Sequence, residues 1–136
     1  MRVLLDTNVI ASAVATRGLC ADLFRLVLAE HELVVGEVVI DELRRVLRTR
    51  FRLPVARVAD VEEVLRTYEV VARPQAPDIV AVRDADDGWI LASARAALVD
   101  ALITGDGDLL AVADQVPFRI LSPRAFWDEI RRGARY

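Results

Sequence analysis

Val3-Leu4-Leu5-Asp6-Thr7-Asn8 decides the reading of this chain: three apolar residues, the pattern of a buried strand, run straight into a carboxylate, a hydroxyl and an amide. In an open parallel sheet, ligands sit just outside the carboxyl ends of the strands, which puts Asp6 where chemistry is usually done. The question for the remaining residues is whether further acids reach the same edge.

Working outward, Val9 to Ala15 reads as a short apolar helix ending near Gly18, and Cys20 to His31 as an amphipathic one with Leu19, Leu23, Leu26 and Val27 at helical spacing. Leu33-Val34-Val35 is the next strand, expected beside the first and parallel to it, since a strand, a helical crossover and another strand pack that way. From Glu37 the helical period returns, with Val39, Leu43, Val46 and Leu47 on one face and Arg44, Arg45 and Arg48 away from it. Glu42 sits at the margin of the apolar face, and periodicity alone favours a side chain reaching past its neighbours to water, while Asp41 points outward. Pro54 is expected in the first turn of a further helix with Val58, Val61, Val64 and Leu65 on its apolar side. Val70-Val71 is a short strand or the end of that helix, and Arg73 to Asp84, with Pro74 and Pro77, is a loop.

That loop delivers Asp84, Asp86 and Asp87 to a helix whose apolar positions are Ile90, Leu91, Ala94, Ala97 and Leu98. One acid there is a helix cap, but one cap does not account for three, and Asp87 alone shares the inward face of Ile90 and Leu91. Ala101-Leu102-Ile103 followed by Thr104-Gly105-Asp106-Gly107-Asp108 repeats the opening pattern of strand and acidic turn. Here Asp108 is the better candidate for capping a helix from Leu109 to Asp114, and Asp106 stands closer to the strand end. Phe118 to Leu121 is the last strand; Ser122 as cap and Pro123 in the first turn start a helix bearing Phe126, Trp127 and Ile130, with Arg131, Arg132 and Arg135 a solvated end.

Strands alternating with helices from end to end make a parallel sheet with helices on both faces. At 136 residues and 54% hydrophobic content the chain is expected to form one domain over residues 1–136 with an adequate core. No apolar run approaches the roughly 20 residues needed to span a bilayer, and a cytoplasmic location is expected. The lone Cys20 reads as a small apolar residue, and the single His31 as a favourable charge at a helix C-terminus or a surface group.

All 18 basic residues are arginine, which excludes a P-loop and any other site built on lysine. Carboxylates gathered within about 4 Å repel by roughly 4 kcal/mol per pair at an effective dielectric near 20, so a cluster of them must hold protons or a cation. Oxygen ligands without histidine or cysteine suit Mg²⁺ or Mn²⁺ and not Zn²⁺, and carboxylate-held Mg²⁺ most often serves phosphate chemistry. Setting four such acids aside takes the net charge of -3 to +1, which permits a polyanionic partner.

Leu4-Leu5-Asp6-Thr7-Asn8, the Asp41-Glu42-Leu43 helix, Asp84-Ala85-Asp86-Asp87 leading into Ile90-Leu91-Ala92, and Thr104-Gly105-Asp106-Gly107-Asp108-Leu109-Leu110 together resemble the PIN-domain nucleases. The nearest resemblance is to the VapC kind, toxins of toxin–antitoxin pairs. It implies a five-stranded parallel sheet in an α/β/α sandwich and a Mg²⁺- or Mn²⁺-dependent ribonuclease acting on RNA. It further implies a homodimer and a cognate antitoxin as partner. The acids it implies as catalytic and metal-binding are Asp6, Glu42, Asp87 and Asp106, which reassigns Glu42 from surface residue to ligand. Asn8 and Thr104 would support ligands or the attacking water, Asp108 would reach the metal through water, and Asp84 would make an outer contact while Asp86 caps the helix. Where many members carry serine or threonine, this chain has Gly36-Glu37-Val38.

Two other classes bear comparison. A receiver domain or haloacid-dehalogenase-type phosphatase also places acids after parallel strands, but each normally uses a lysine, and the phosphatase wants an aspartate where Asn8 stands. A regulatory or RNA-binding protein on an inactive PIN scaffold is the remaining alternative, against which the presence of all four acids argues. Arg44, Arg45, Arg48, Arg50 and Arg52 fit either an RNA-backbone track or, by a slight preference, a solvated helix face.

Overall fold

A computed structural model describes residues 1–133; Arg135 of the expected solvated end lies outside the described residues. The elements in chain order are β1 (Arg2–Leu5), α1 (Thr7–Ala15), α2 (Leu19–Glu30), β2 (Glu32–Gly36), α3 (Glu37–Thr49), α4 (Val55–Leu65) and β3 (Glu69–Val71). They continue with α5 (Ala85–Ala96), β4 (Ala101–Ile103), α6 (Gly107–Leu110), β5 (Arg119–Leu121) and α7 (Pro123–Gly133). The five strands form one all-parallel sheet in the order β3-β2-β1-β4-β5. The opening strand is central, and the chain leaves it first toward β2 and later returns on its other side through β4. The carboxyl end of β1 is therefore the point where the sheet's winding reverses, the place that opens a crevice.

Alternation along β1 divides the interior between two faces. Val3 and Leu5 pack with Val9, Leu23, Val27, Val39, Leu43, Leu47 and Phe126, from α1, α2, α3 and α7. Leu4 packs with Val34, Leu102 and Ile120 of neighbouring strands and with Ile90, Leu91 and Ala94 of α5 on the other face. The result is the α/β/α sandwich expected from the alternation of elements. At the amino end of the sheet Arg2 closes the strands, pairing with Glu32 at 2.7 Å and Glu69 at 2.5 Å and donating to the carbonyl of Ala97 at 2.8 Å.

Several local expectations are corrected. The first helix begins at Thr7, two residues before the apolar run, because the Asp6 side chain caps it by accepting from the Thr7 amide at 2.7 Å. Pro54 is the residue before α4, not part of its first turn, and Val64 is 52% exposed while Val58 and Leu65 are buried. Val70 and Val71 belong to a strand. The helix expected from Leu109 to Asp114 is a single turn, α6, followed by a 3-10 turn at Ala113–Gln115. His31 stands at the C-cap of α2, as expected, but half-buried: its ring lies 5.7 Å from that of Phe126, and burial holds its pKa below the ordinary value, which disfavours the charged form there. Cys20 packs half-buried against the core, and Ser122 caps α7 by accepting from the Ala125 amide.

Candidate metal centre

The carboxyl edge of the sheet gathers acids from four elements. Asp6 follows β1 and is 5% exposed. Its Oδ1 accepts from the Thr7 amide, and its Oδ2 accepts from the Thr104 hydroxyl at 2.6 Å. Thr104 follows β4, is fully buried, and its hydroxyl oxygen also accepts from the Asp106 amide at 3.0 Å. One threonine thus fixes the two strand-end acids relative to each other. Asp106 in turn caps α6 by accepting from the Asp108 amide at 2.8 Å, so the capping role falls to Asp106 and not, as spacing favoured, to Asp108.

Asp87 arrives from the opposite wall on the first turn of α5, 5% exposed as its inward position demanded. Asp84 is the cap of that helix, accepting from the Asp86 amide at 3.0 Å; the cap expected of Asp86 falls to Asp84, because the helix starts two residues earlier than the cap reading of Asp86 requires, and Asp86 is exposed in its first turn. One ligand oxygen each of Asp87, Asp106 and Asp108 can lie within 4.8 Å of one another. Asp108, assigned at most a water-mediated role by the resemblance, belongs to this closest group.

Glu42 enters from α3, half-buried, and accepts from the Thr7 hydroxyl at 3.1 Å. It is not part of the close triad; it faces the charges of Asp6 and Asp86 and a looser contact with Arg45 at 3.8 Å. Asn8 is exposed and accepts from Arg50 at 3.1 Å. The residue that links the Asp6 and Glu42 carboxylates is Thr7, its amide donating to Asp6 and its hydroxyl to Glu42, a role that spacing along the chain did not reveal. Its signal was its position: the residue after a strand-end cap starts a helix, and its side chain stays beside the edge.

Electrostatics separate this edge from the rest of the surface. Burial is the main cause that raises the pKa of Asp6, opposed by its bonds from Thr104 and Thr7 and assisted by the charge of Asp106. Burial likewise raises Glu42. Asp87 is pushed up to about 7, by burial first, then by the charge of Asp106 and by a hydrogen bond that the protonated Asp87 makes to it, with Asp84 and Asp6 adding to the effect. Buried Asp87 Oδ2 receives no hydrogen bond. Several acids elsewhere do have cations: Glu62 accepts from Arg44 and Arg66, Glu37 from Arg66, and Asp78 from Arg95. Among the described residues, Asp6, Asp87, Asp106 and Asp108 are in no ion pair.

A divalent cation fits this donor set. The oxygens are carboxylate only, the hard-ligand chemistry of Mg²⁺ or Mn²⁺, and an unpartnered buried oxygen is what a missing positive charge leaves behind. The sequence profile of the PIN domain matches residues 2–108, a span that holds every one of these acids. The chain belongs to the PIN domain family. That membership supports a nuclease role. No curated protein matches the chain by sequence. Among solved structures, this PIN domain is similar to VapBC2 from Rickettsia felis bound to a DNA fragment from its promoter, at 15% identity and TM-score 0.59, over 89% of this chain and 97% of that one. It is similar also to VapC20 of Mycobacterium tuberculosis, described as a sarcin-ricin loop cleaving toxin, at 14% identity and TM-score 0.61, over 81% and 94%. PAE2754 from Pyrobaculum aerophilum shares 18% identity and TM-score 0.64, over 97% and 90%. These likenesses extend the agreement of fold along nearly the whole chain. No helix among the described residues of this PIN domain is long and apolar enough to cross a membrane.

Proposed function

We propose that this PIN domain is a Mg²⁺- or Mn²⁺-dependent endoribonuclease, the toxin of a toxin–antitoxin pair, folded as one domain over residues 1–136. The observation that carries the reading is the carboxylate group at the carboxyl edge, in which Asp87, Asp106 and Asp108 approach within 4.8 Å and buried Asp87 Oδ2 has no partner. Asp6, Glu42, Asp87 and Asp106 are the catalytic acids and, with Asp108, the residues that would hold the ion. When bound, a divalent cation supplies neutralisation of phosphoryl charge during displacement at phosphorus.

The protein's own contribution is preorganisation. Thr104 holds Asp6 and the Asp106 backbone, Thr7 holds Asp6 through its amide and Glu42 through its hydroxyl, and Asp84 caps the helix that presents Asp87. Each acid is thereby oriented before substrate arrives, and none has to reorganise during the reaction. The likeness to VapC20, described as a sarcin-ricin loop cleaving toxin, and to the VapBC2 complex supports RNA as substrate and an antitoxin as partner; a homodimer and a cytoplasmic setting belong to the same proposal.

Purified protein is expected to cleave single-stranded RNA with Mg²⁺ or Mn²⁺, to stop when chelator is added, and to lose roughly 100-fold or more of its rate in Asp6→Asn or Asp106→Asn. Equal cleavage by wild type and Asp6→Asn, or cleavage undiminished by chelator, refutes the reading.

A further inference from the structure

Beside the acid cluster, α3 and α5 leave a pocket of about 240 Å³ lined by Val38, Asp41, Glu42, Arg45, Asp86 and Trp89, with Arg73 of the preceding loop across it. It shares Glu42 with the candidate metal centre. The guanidinium of Arg73 lies over the Trp89 ring, 4.4 Å from its centroid. We propose that this pocket is a nucleobase subsite in which a base of the RNA strand stacks on Trp89. The proposal rests on the ribonuclease reading above and adds to it a place where the strand is gripped beside the scissile phosphate.

Three features carry it. The volume lies below the roughly 300 Å³ at which pockets for drug-sized ligands begin, which suits a single planar ring system. Trp89 offers a half-buried indole, and aromatic faces of this kind bind bases without regard to sequence. The cations at the pocket are uncommitted: Arg45 has only the 3.8 Å contact to Glu42, and Arg73 is in no ion pair among the described residues. A guanidinium resting on an indole is a stacked planar cation. An arriving base takes that ring face, and Arg73 moves to the phosphate beside it, a partner its fork of donors matches.

The Arg73–Trp89 contact is not what holds the loop in place. Asp78 pins the loop to α5 through its amide, which donates to the Gly88 carbonyl at 2.8 Å, and through its carboxylate, which accepts twice from Arg95 at 2.8 and 3.2 Å. Gly88 completes the seat, since a Cβ there would lie 3.1 Å from that of Pro77. The loop therefore keeps these anchors when Trp89 is changed; because Trp89 also packs against the core on the Leu4 face, Trp89→Phe, which keeps an aromatic ring there, separates binding from folding. The carboxylates of Asp41, Glu42 and Asp86 accept hydrogen bonds only, and meet the base at its donor-bearing edge.

Two measurements test the proposal. In a Trp127→Phe protein Trp89 is the sole tryptophan. Its fluorescence is expected to change on titration with a short, uncleavable 2′-O-methyl RNA strand in chelator. In the cleavage assay, Trp89→Ala is expected to raise KM roughly 5- to 150-fold, the loss of one base–aromatic stack, with kcat nearly unchanged, and Trp89→Phe to restore most of it. An unchanged Trp89 signal while fluorescence anisotropy of a labelled strand shows binding overturns the proposal, as does a Trp89→Ala enzyme with wild-type KM. A Trp89 response in a protein that cleaves nothing upholds the subsite and refutes the nuclease reading; cleavage with a silent Trp89 does the reverse.

Discussion

Replacing Asp87 by asparagine should stabilise the metal-free protein at neutral and higher pH, and the size of the effect follows from the crowding of the carboxyl edge. Asp87 has an ordinary pKa of 3.8 and is pushed up to about 7 in the fold. A folded-state pKa above the unfolded one means that the native protein binds more protons than the unfolded chain between about pH 4 and pH 7, so stability falls as pH rises through that window. The gap corresponds to at most about 4 kcal/mol, and because Asp87 is coupled to the carboxylates around it the cost borne at pH 8 is roughly 2–4 kcal/mol. For a chain of this length that is a difference in Tm of roughly 10 °C.

The assay is thermal unfolding followed by circular dichroism in chelator, from about pH 5 to about pH 8, on wild type and Asp87→Asn. Asp6 and Glu42 are raised in the same direction by burial, and His31, lowered by burial, acts with the opposite sign; all three are present in both proteins. The difference between the two profiles therefore reports Asp87 together with its coupling to the neighbouring carboxylates. Wild type is expected to lose stability relative to Asp87→Asn as pH rises, and Mn²⁺ at about 100 times its Kd to return about 2.7 kcal/mol to wild type and much less to the variant. Parallel profiles in chelator would refute the crowded-carboxylate argument, whatever the cleavage assay showed.

Two further outcomes test the framework around the site. Glu62 is held down to about 2, first by its hydrogen bond from Arg44 and then by Arg66, so its contribution is present above about pH 4.5 and lost as pH falls toward 2; Glu62→Gln should cost about 1 kcal/mol at neutral pH, because the network is partly exposed, and flatten the acid limb of the stability profile measured by urea denaturation. Phe126→Ala empties a fully buried position where α7 meets α2 and should cost about 3–5 kcal/mol in the same assay, a loss under about 1 kcal/mol contradicting the packing described.

The alternation of strands and helices was legible because its signals are local: the short, β-branched run Leu33-Val34-Val35 reads as a strand buried on two faces, and the spacing of Val39, Leu43, Val46 and Leu47 follows a helical face. The same local logic brought Asp6 and Asp106 to strand ends and turned Asp87 inward. It misjudged α4, where Val64 follows the apolar pattern yet stays half exposed at the lining of an open pocket it shares with Val14 and Phe24. It also gave Asp108 and Asp86 the caps that Asp106 and Asp84 make, since a cap depends on where the first helical turn starts and a shift of one or two residues exchanges the candidates.

The sequence by itself therefore determined the layers, the parallel sheet and the set of acids delivered to its carboxyl edge, because each depends on periodicity and on residues a few positions apart. Only the tertiary structure decided how those acids meet. Thr7 reaches Glu42 across 35 positions and Thr104 reaches Asp6 across 98, and no spacing rule ranks a hydroxyl at such separation. The pairing of β1 with β4 brings Asp6 and Thr104 side by side, and the packing of α5 above them adds Asp87 to Asp106 and Asp108. Burial and mutual repulsion then arise from that convergence, which turns Val3 to Asn8 from a strand with a polar end into one wall of an acid cluster.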